Sequence, residues 1–259
     1  MVNLPLISLW SQRSLVFHLA VMNIKIRFRG TSLGFLWNAL EPALTFILLY
    51  TVFTSIRIRT QEDFAIYLLT GIILYHVFTR GTLAGLTSLR SNKNILESLA
   101  IKKEILPVVA VTATSLLLFI EIGVFFGLMP FFDFIPSIEI VLLPLVFILL
   151  IILILGFSYI LSVINIYVKD IQPFWGIIVH AMFFVTPIIW YLDDVSGILL
   201  EIHKINPVGQ IVELGHKVVI YGEIPSTEDW AYVSIFVFGI FFLGFFIFKK
   251  FESRIVEDL

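Results

Sequence analysis

Positions 138–164 form a run so apolar that no charged side chain occurs between 140 and 154. A bilayer accommodates such a stretch, because its hydrocarbon core is crossed by about 20 mostly apolar residues in an α-helix. Segments at about 35–56, 64–88, 105–127, 174–191 and 230–248 meet the same criterion of about 17–25 residues, the fifth in chain order (174–191) being short and bounded by Pro173 and Asp193. Composition agrees: 59% hydrophobic, 14% charged and a mean hydropathy of +1.02 over 259 residues. A soluble domain carries about 25% charged residues, and 17 basic plus 19 acidic side chains cannot give this chain a polar skin. The sequence therefore predicts an all-α integral membrane protein with six transmembrane helices, since helices satisfy their own backbone groups in lipid.

Several classes are excluded. With no cysteine, disulfides, thiolate catalysis and cysteine-ligated metals are ruled out. A net charge of −2 argues against nucleic-acid binding. Positions 1–10 hold no basic residue and Arg13 interrupts the first apolar stretch, so no cleavable signal peptide is expected.

Orientation follows from loop Lys and Arg. With the N-terminus cytoplasmic, Arg13, Lys25, Arg27, Arg29, Arg90, Lys93, Lys102, Lys103, Lys169, Lys249, Lys250 and Arg254 fall inside, and Arg57, Arg59, Lys204 and Lys217 outside. That bias predicts both termini in the cytoplasm. Residues 8–29 place Ser11, Ser14, His18, Lys25 and Arg29 on one helical side, with Leu15, Leu19 and Ile26 elsewhere, as in an amphipathic interfacial helix. A period-two alternation over 23–29 competes with that reading. Residues 90–104 form a cytoplasmic segment with Ile95, Leu99 and Ala100 at helical spacing, and 197–224 is apolar yet broken by Pro207, Gly209, Gly215 and Gly222. The broken segment fits a helical hairpin dipping into the outer leaflet.

Catalytic machinery is not evident. The five histidines, at 18, 76, 180, 203 and 216, contain no zinc-binding pair one turn apart, and Ser115, Ser158 and Ser162 have no obvious base beside them. No G-x-x-x-x-G-K-[ST] loop exists, so ATP used by that route would need another subunit. Glu41, Arg80 and Glu121 lie within spans, where a charge costs about 2.5–3.5 kcal/mol unless paired or functional. Glu41 and Arg80 fall at similar depth, so either they pair or Arg80 snorkels to the inner headgroups. Glu121 is expected in the outer part of the third span, facing protein or the outer interface rather than lipid. Gly81/Gly85 and Gly123/Gly127 make small-xxx-small pairs, read as packing within the chain or at a subunit interface.

The stretch Arg27-Phe28-Arg29-Gly30-Thr31-Ser32-Leu33-Gly34-Phe35-Leu36-Trp37, then Pro42, resembles the start of the first span in ABC-2 type permeases. So do Tyr167-Val168-Lys169-Asp170-Ile171, Thr186-Pro187-Ile188-Ile189-Trp190, and Asn206-Pro207 opening the outer hairpin. The resemblance covers nearly the whole chain and is strongest to the branch exporting lipid-linked O-antigen, capsule and teichoic-acid polymers. Glu41 departs from it, standing where the family often has an uncharged polar residue. The resemblance implies one domain over 1–259: a cytoplasmic interfacial helix (1–33), spans one to five (34–191), an outer re-entrant segment (192–229), span six (230–248) and a cytoplasmic tail (249–259). It further implies a permease in the cell membrane, paired with a second copy and two ABC nucleotide-binding subunits that hold ATP and magnesium, moving a polyprenyl-diphosphate-linked glycan outward with no cofactor on this chain. An exporter of a drug, peptide or other lipid is the alternative; a membrane enzyme of lipid metabolism and a non-transporting structural subunit are more distant ones. Lys93, Ile95, Leu96, Glu97, Leu99, Lys102 and Lys103, with Lys169 and Asp170, become candidates for ATPase coupling, against the reading of a solvated loop. Lys25, Arg27 and Arg29 become a phosphate-attracting entrance or a membrane anchor. Trp37, Glu41, Tyr50, Arg80, Phe174, Phe183, Phe184 and Trp190 become candidates for the translocation path, where aromatic faces would stack on sugar rings; lipid contact is the competing reading for each aromatic residue.

Overall fold

The computed structural model describes residues 12–55, 63–98 and 102–255, which are helical with no strand among them. The N-terminal helix α1 (Arg13–Arg27) buries Val16 and Ala20, and its course through 23–27 shows that the period-two alternation there does not make a strand. Residues 8–11 of the predicted interfacial helix lie outside the described residues. Helix α2 (Leu36–Ser55) carries Pro42 in its interior and buries one narrow stripe, Asn38, Pro42 and Phe46, at four-residue spacing.

Helix α3 (Phe64–Ser91) is the axis of the molecule, about 42 Å long at 1.5 Å per residue and buried along most of its length. The short α4 (Lys93–Ser98) follows, then α5 (Ile105–Leu128), which runs on into a 3-10 turn (Met129–Phe132) that Asp133 ends by taking a left-handed conformation at φ 52. Helix α6 (Leu143–Tyr167) is the most apolar, and α7 (Ile171–Val185) is the shortest of the strongly apolar helices. Two helices then break at Asn206: α8 (Ile198–Ile205) and α9 (Pro207–Val219). Asn206 accepts the N–H of Val208 while Pro207 takes the first helical position, a favourable start for a helix. The last helix, α10 (Thr227–Phe251), opens with a reciprocal capping box between Ser226 and Asp229.

Among the described residues, five helical stretches are long and apolar enough to cross a bilayer: α2, α3, α5 continued to Phe132, residues 138–167 containing α6, and α10. The fifth expected span, over 174–191, differs from the expectation. It is the fifteen-residue α7, about 22 Å long, because Thr186 precedes Pro187 and is driven extended, at ψ 139.

Helix α3 packs against α5, α6, α7 and α9, while α10 packs on α6 and α1 on α5. The closest approaches need glycine. A Cβ on Gly85 would sit 1.9 Å from Ser158 Oγ, and one on Gly244 would sit 2.3 Å from the carbonyl oxygen of Gly156. The Gly81/Gly85 pair therefore packs within the chain. Gly123 and Gly127 do not, since a Cβ on either meets no atom of this chain within 4 Å. Residues that charge counting assigns to one side converge. Lys249 pairs with Glu104, and Lys103 Nζ donates to the Glu252 carbonyl at 2.6 Å. At the opposite end Lys217 meets Asp229 at 2.8 Å, and the Tyr232 hydroxyl donates to the Lys204 carbonyl at 2.8 Å.

Candidate translocation site

Three helices each bring one ionisable side chain to a common point. Arg80 of α3 donates through Nη1 to Glu121 Oε1 of α5 at 2.5 Å and through Nη2 to Glu41 Oε2 of α2 at 2.6 Å. Arginine suits this bridge, because its planar fork presents separate donors to two carboxylates. Glu121 is 2% exposed, whereas Glu41 keeps 60% of its side chain open on α2. Glu121 Oε2 has no hydrogen-bond partner among the described residues. Removing Arg80 would leave that carboxylate buried and unpaired, the costly way to break an ion pair.

The bridge borders a cavity of about 490 Å³. Its walls come from the C-terminal part of α3 and the N-terminal half of α5, from α1, from Asn92 and Ile95 and from Gln172 at the start of α7. Small residues make the space: Ala84 and Ser88 on α3, and Ala110 and Ala113 on α5. Asn23, Arg27, Thr87, Ser91 and Thr114 give it a polar lining, and Arg80 closes one end. This volume falls within the ~300–1,000 Å³ typical of small-molecule sites. Among the described residues no cluster of His, Asp or Glu could hold a metal ion.

The structure divides the sequence-predicted residues. Glu41 and Arg80 do pair, and Arg27 lines the same cavity; Lys25 and Arg29 are exposed beside it in sequence. Tyr50 belongs to an aromatic cluster, stacked on Phe46 at 5.5 Å and edge-on to Phe132 at 5.4 Å. Trp37, Phe174 and Phe184 are exposed on the surface of the chain, and Phe183 packs edge-on against Tyr75. Trp190 is buried, its indole N–H donating to the Phe184 carbonyl at 3.0 Å, so in this conformation it is a structural tie at the end of α7. Of the coupling candidates, Lys93, Lys102, Lys169 and Asp170 are exposed and Ile95 lines the cavity. Glu97 lies in α4 and Leu99 lies outside the described residues. Leu96 is a correction. Instead of standing free as an apolar knob, it is buried in this chain's own inner cluster with Leu89, Leu106 and Ile166.

Sequence reasoning missed Glu121 as the second partner of Arg80. Counted along the helices, Arg80 stands about 16 Å from Ser91 and Glu121 about 24 Å from Ile105. The length of the arginine side chain bridges that offset. A third intramembrane charge with no assigned partner was the available signal.

The family described as ABC-2 type transporter matches residues 14–219. The chain is 25% identical over 241 residues to an O-antigen export system permease protein, RfbA, of Klebsiella pneumoniae, covering 92% of each chain. It is 25% identical over 249 residues to RfbA of Myxococcus xanthus, covering 88% of this chain and 93% of that one. It is also 25% identical over 257 residues to the polysialic acid transport protein KpsM of Escherichia coli, covering 95% and 97%.

Proposed function

The chain belongs to the ABC-2 type transporter family, and from that premise we propose that it is the membrane permease subunit of an ATP-driven exporter of lipid-linked polysaccharide. The observation that carries this reading is the length of the likeness: similarity to permeases named for O-antigen and polysialic acid runs along at least 88% of this chain. Two copies of the permease form the conduit and two separate ABC nucleotide-binding subunits supply ATP hydrolysis with magnesium. Both termini lie in the cytoplasm of a cell-membrane protein with six crossings. The short α7 serves as the fifth crossing, and α8 with α9 forms a re-entrant hairpin at the outer face.

The physical task suits this arrangement. A diphosphate and many sugar hydroxyls cannot pass hydrocarbon without a polar or protein-walled route. Lys25, Arg27 and Arg29 attract the anionic head to the inner mouth, where the cavity under α1 opens. Arg80, bridged to Glu41 and Glu121, marks how far fixed charge extends into the bilayer. The exposed faces of Trp37, Phe174 and Phe184 are available to the second copy and to sugar rings. Lys93, Lys102, Lys169 and Asp170 meet the ATPase.

Reconstitution in vesicles with the ATPase subunit tests the proposal. A polyprenyl-diphosphate glycan should stimulate ATP hydrolysis and appear on the far side of the membrane. Stimulation by a drug or peptide and not by any glycolipid would overturn it.

A further inference from the structure

Three regions distant in sequence close around one apolar cluster at the inner end of the bundle. They supply Leu89 from the end of α3 with Leu96 from α4, Ile166 from the end of α6, and Phe248 from the end of α10 with Ile255 from the turn that follows it. Ile255 is fully buried, and the segment carrying it turns back beyond α10, with the Arg254 N–H donating to the Phe251 carbonyl at 3.0 Å. Polar ties bind this turn to the segment before α5. Lys103 Nζ donates to the carbonyls of Glu252, at 2.6 Å, and Ser253, at 3.5 Å. Lys249 pairs with the buried Glu104 and, at 2.9 Å, with Glu252. The Tyr167 ring beside Lys169 lies 6.0 Å from that of Phe251, which brings the loop between α6 and α7 to the same place.

We propose that residues 251–255 form a third limb of the surface that docks the ATPase, clamped to the 102–104 segment by Lys103 and Glu104 so that the two limbs move as one. The proposal rests on the ABC-exporter reading above. With Leu96 already buried, recognition falls to the charges around the cluster. Lys102, Lys169, Lys250 and Arg254 are exposed there, so the fitting partner is an ATPase face rich in carboxylates. A push on the clamp reaches the conduit through α10. Its Gly244 touches the backbone of Gly156 on α6, and backbone contact leaves no soft side chain to absorb the movement. Helix α6 in turn packs along α3, which carries Arg80.

The test uses the full permease with its ATPase subunit in vesicles. Wild type must first show export with ATP hydrolysis; if it does not, it is the exporter reading that fails. Given that it does, K250E/R254E should lower affinity for the ATPase at least tenfold, with membrane insertion and thermal stability unchanged. E104Q should keep the ATPase bound yet export several-fold less glycan per ATP. The chain has no cysteine, so K103C/S253C can be joined by a short bismaleimide without background. The unlinked pair should export less per ATP, and linking should restore export towards wild type. Unchanged ATPase affinity in K250E/R254E would overturn the docking limb. Linking that lowers export further would overturn the clamp, and these two results decide the matter even if E104Q fails to fold.

Discussion

From Phe64 to Phe78, α3 is sealed on nearly all sides; from Arg80 to Ser91 the same helix borders a cavity. The outer half is tied by directional bonds to what surrounds it. The Tyr67 hydroxyl donates to the Trp190 carbonyl at 2.8 Å, the His216 ring stacks on Tyr67 at 3.7 Å, and the Tyr75 hydroxyl bonds the Val179 carbonyl. The inner half carries Ala84, Thr87, Ser88 and Ser91, too small to fill the distance to α5. One helix therefore has a fixed end and an adaptable end. A membrane permease can use both: a seal that survives while the other end changes shape.

The largest effect that would sharpen this contrast comes from the charge bridge. Arg80→Ala should cost about 3–5 kcal/mol, because it leaves the buried Glu121 carboxylate unpaired, and Glu121→Gln in the same chain should recover most of it. Thermal unfolding of the solubilised protein measures both. Exchanging Glu41 and Arg80 should not rescue, because the new glutamate at position 80 would face Glu121.

Added bulk separates the two halves next. A Cβ at Gly71 already stands 3.1 Å from Ile188 Cγ2 and 3.2 Å from its Cα. Gly71→Leu should therefore lose about 1–3 kcal/mol through overpacking. Ala84→Leu, facing the cavity, should keep stability within about 1 kcal/mol of wild type, since it fills existing space, and should lower export instead. Equal stability losses at both positions would erase the contrast between sealed and adaptable halves.

Tyr67→Phe should cost about 1 kcal/mol, the value of one hydrogen bond, and should raise hydrogen exchange in the segment around Trp190, whose carbonyl loses its donor, without altering the cavity end of α3.

Acid gives the smallest effect. Burial where α8 meets α9 holds His203 below its ordinary value of 6.5. The unfolded chain then binds a proton more readily than the folded one. This region keeps its full stability above pH 6.5 and loses some as pH falls through that value towards the depressed one. Unfolding followed at pH 7.5 and pH 5.5, with His203→Gln as the control, reads this difference.

Particular residues show what could be read in advance. The hydropathy of 138–164 and 230–248 announced α6 and the body of α10, and Pro187 carried the stop of α7, although the span was expected to pass through it; the Ser226–Asp229 capping box that starts α10 earlier, at Thr227, was not read. The partnership of Glu41 with Arg80 was one of two readings of similar depth. Neither the second partner, Glu121, nor the inward turn of Leu96 was legible. Each depends on rotation about a helix axis, where one residue is 100°, and on which neighbour lies across the gap. The open face of Gly123 and Gly127 has the same origin, since a small-xxx-small spacing says that approach is allowed but not that it happens.

The amino-acid sequence by itself determined that this protein is a set of apolar helices in a membrane. That much follows from local chemistry, because a helix in lipid satisfies its own backbone and needs only length and apolar side chains. Tertiary structure alone decided which charges meet, which helix end stays open and which apolar residue is spent inside. Those outcomes depend on the relative rotation and depth of helices far apart in sequence, fixed by the sum of many small contacts along α3, α5 and α6.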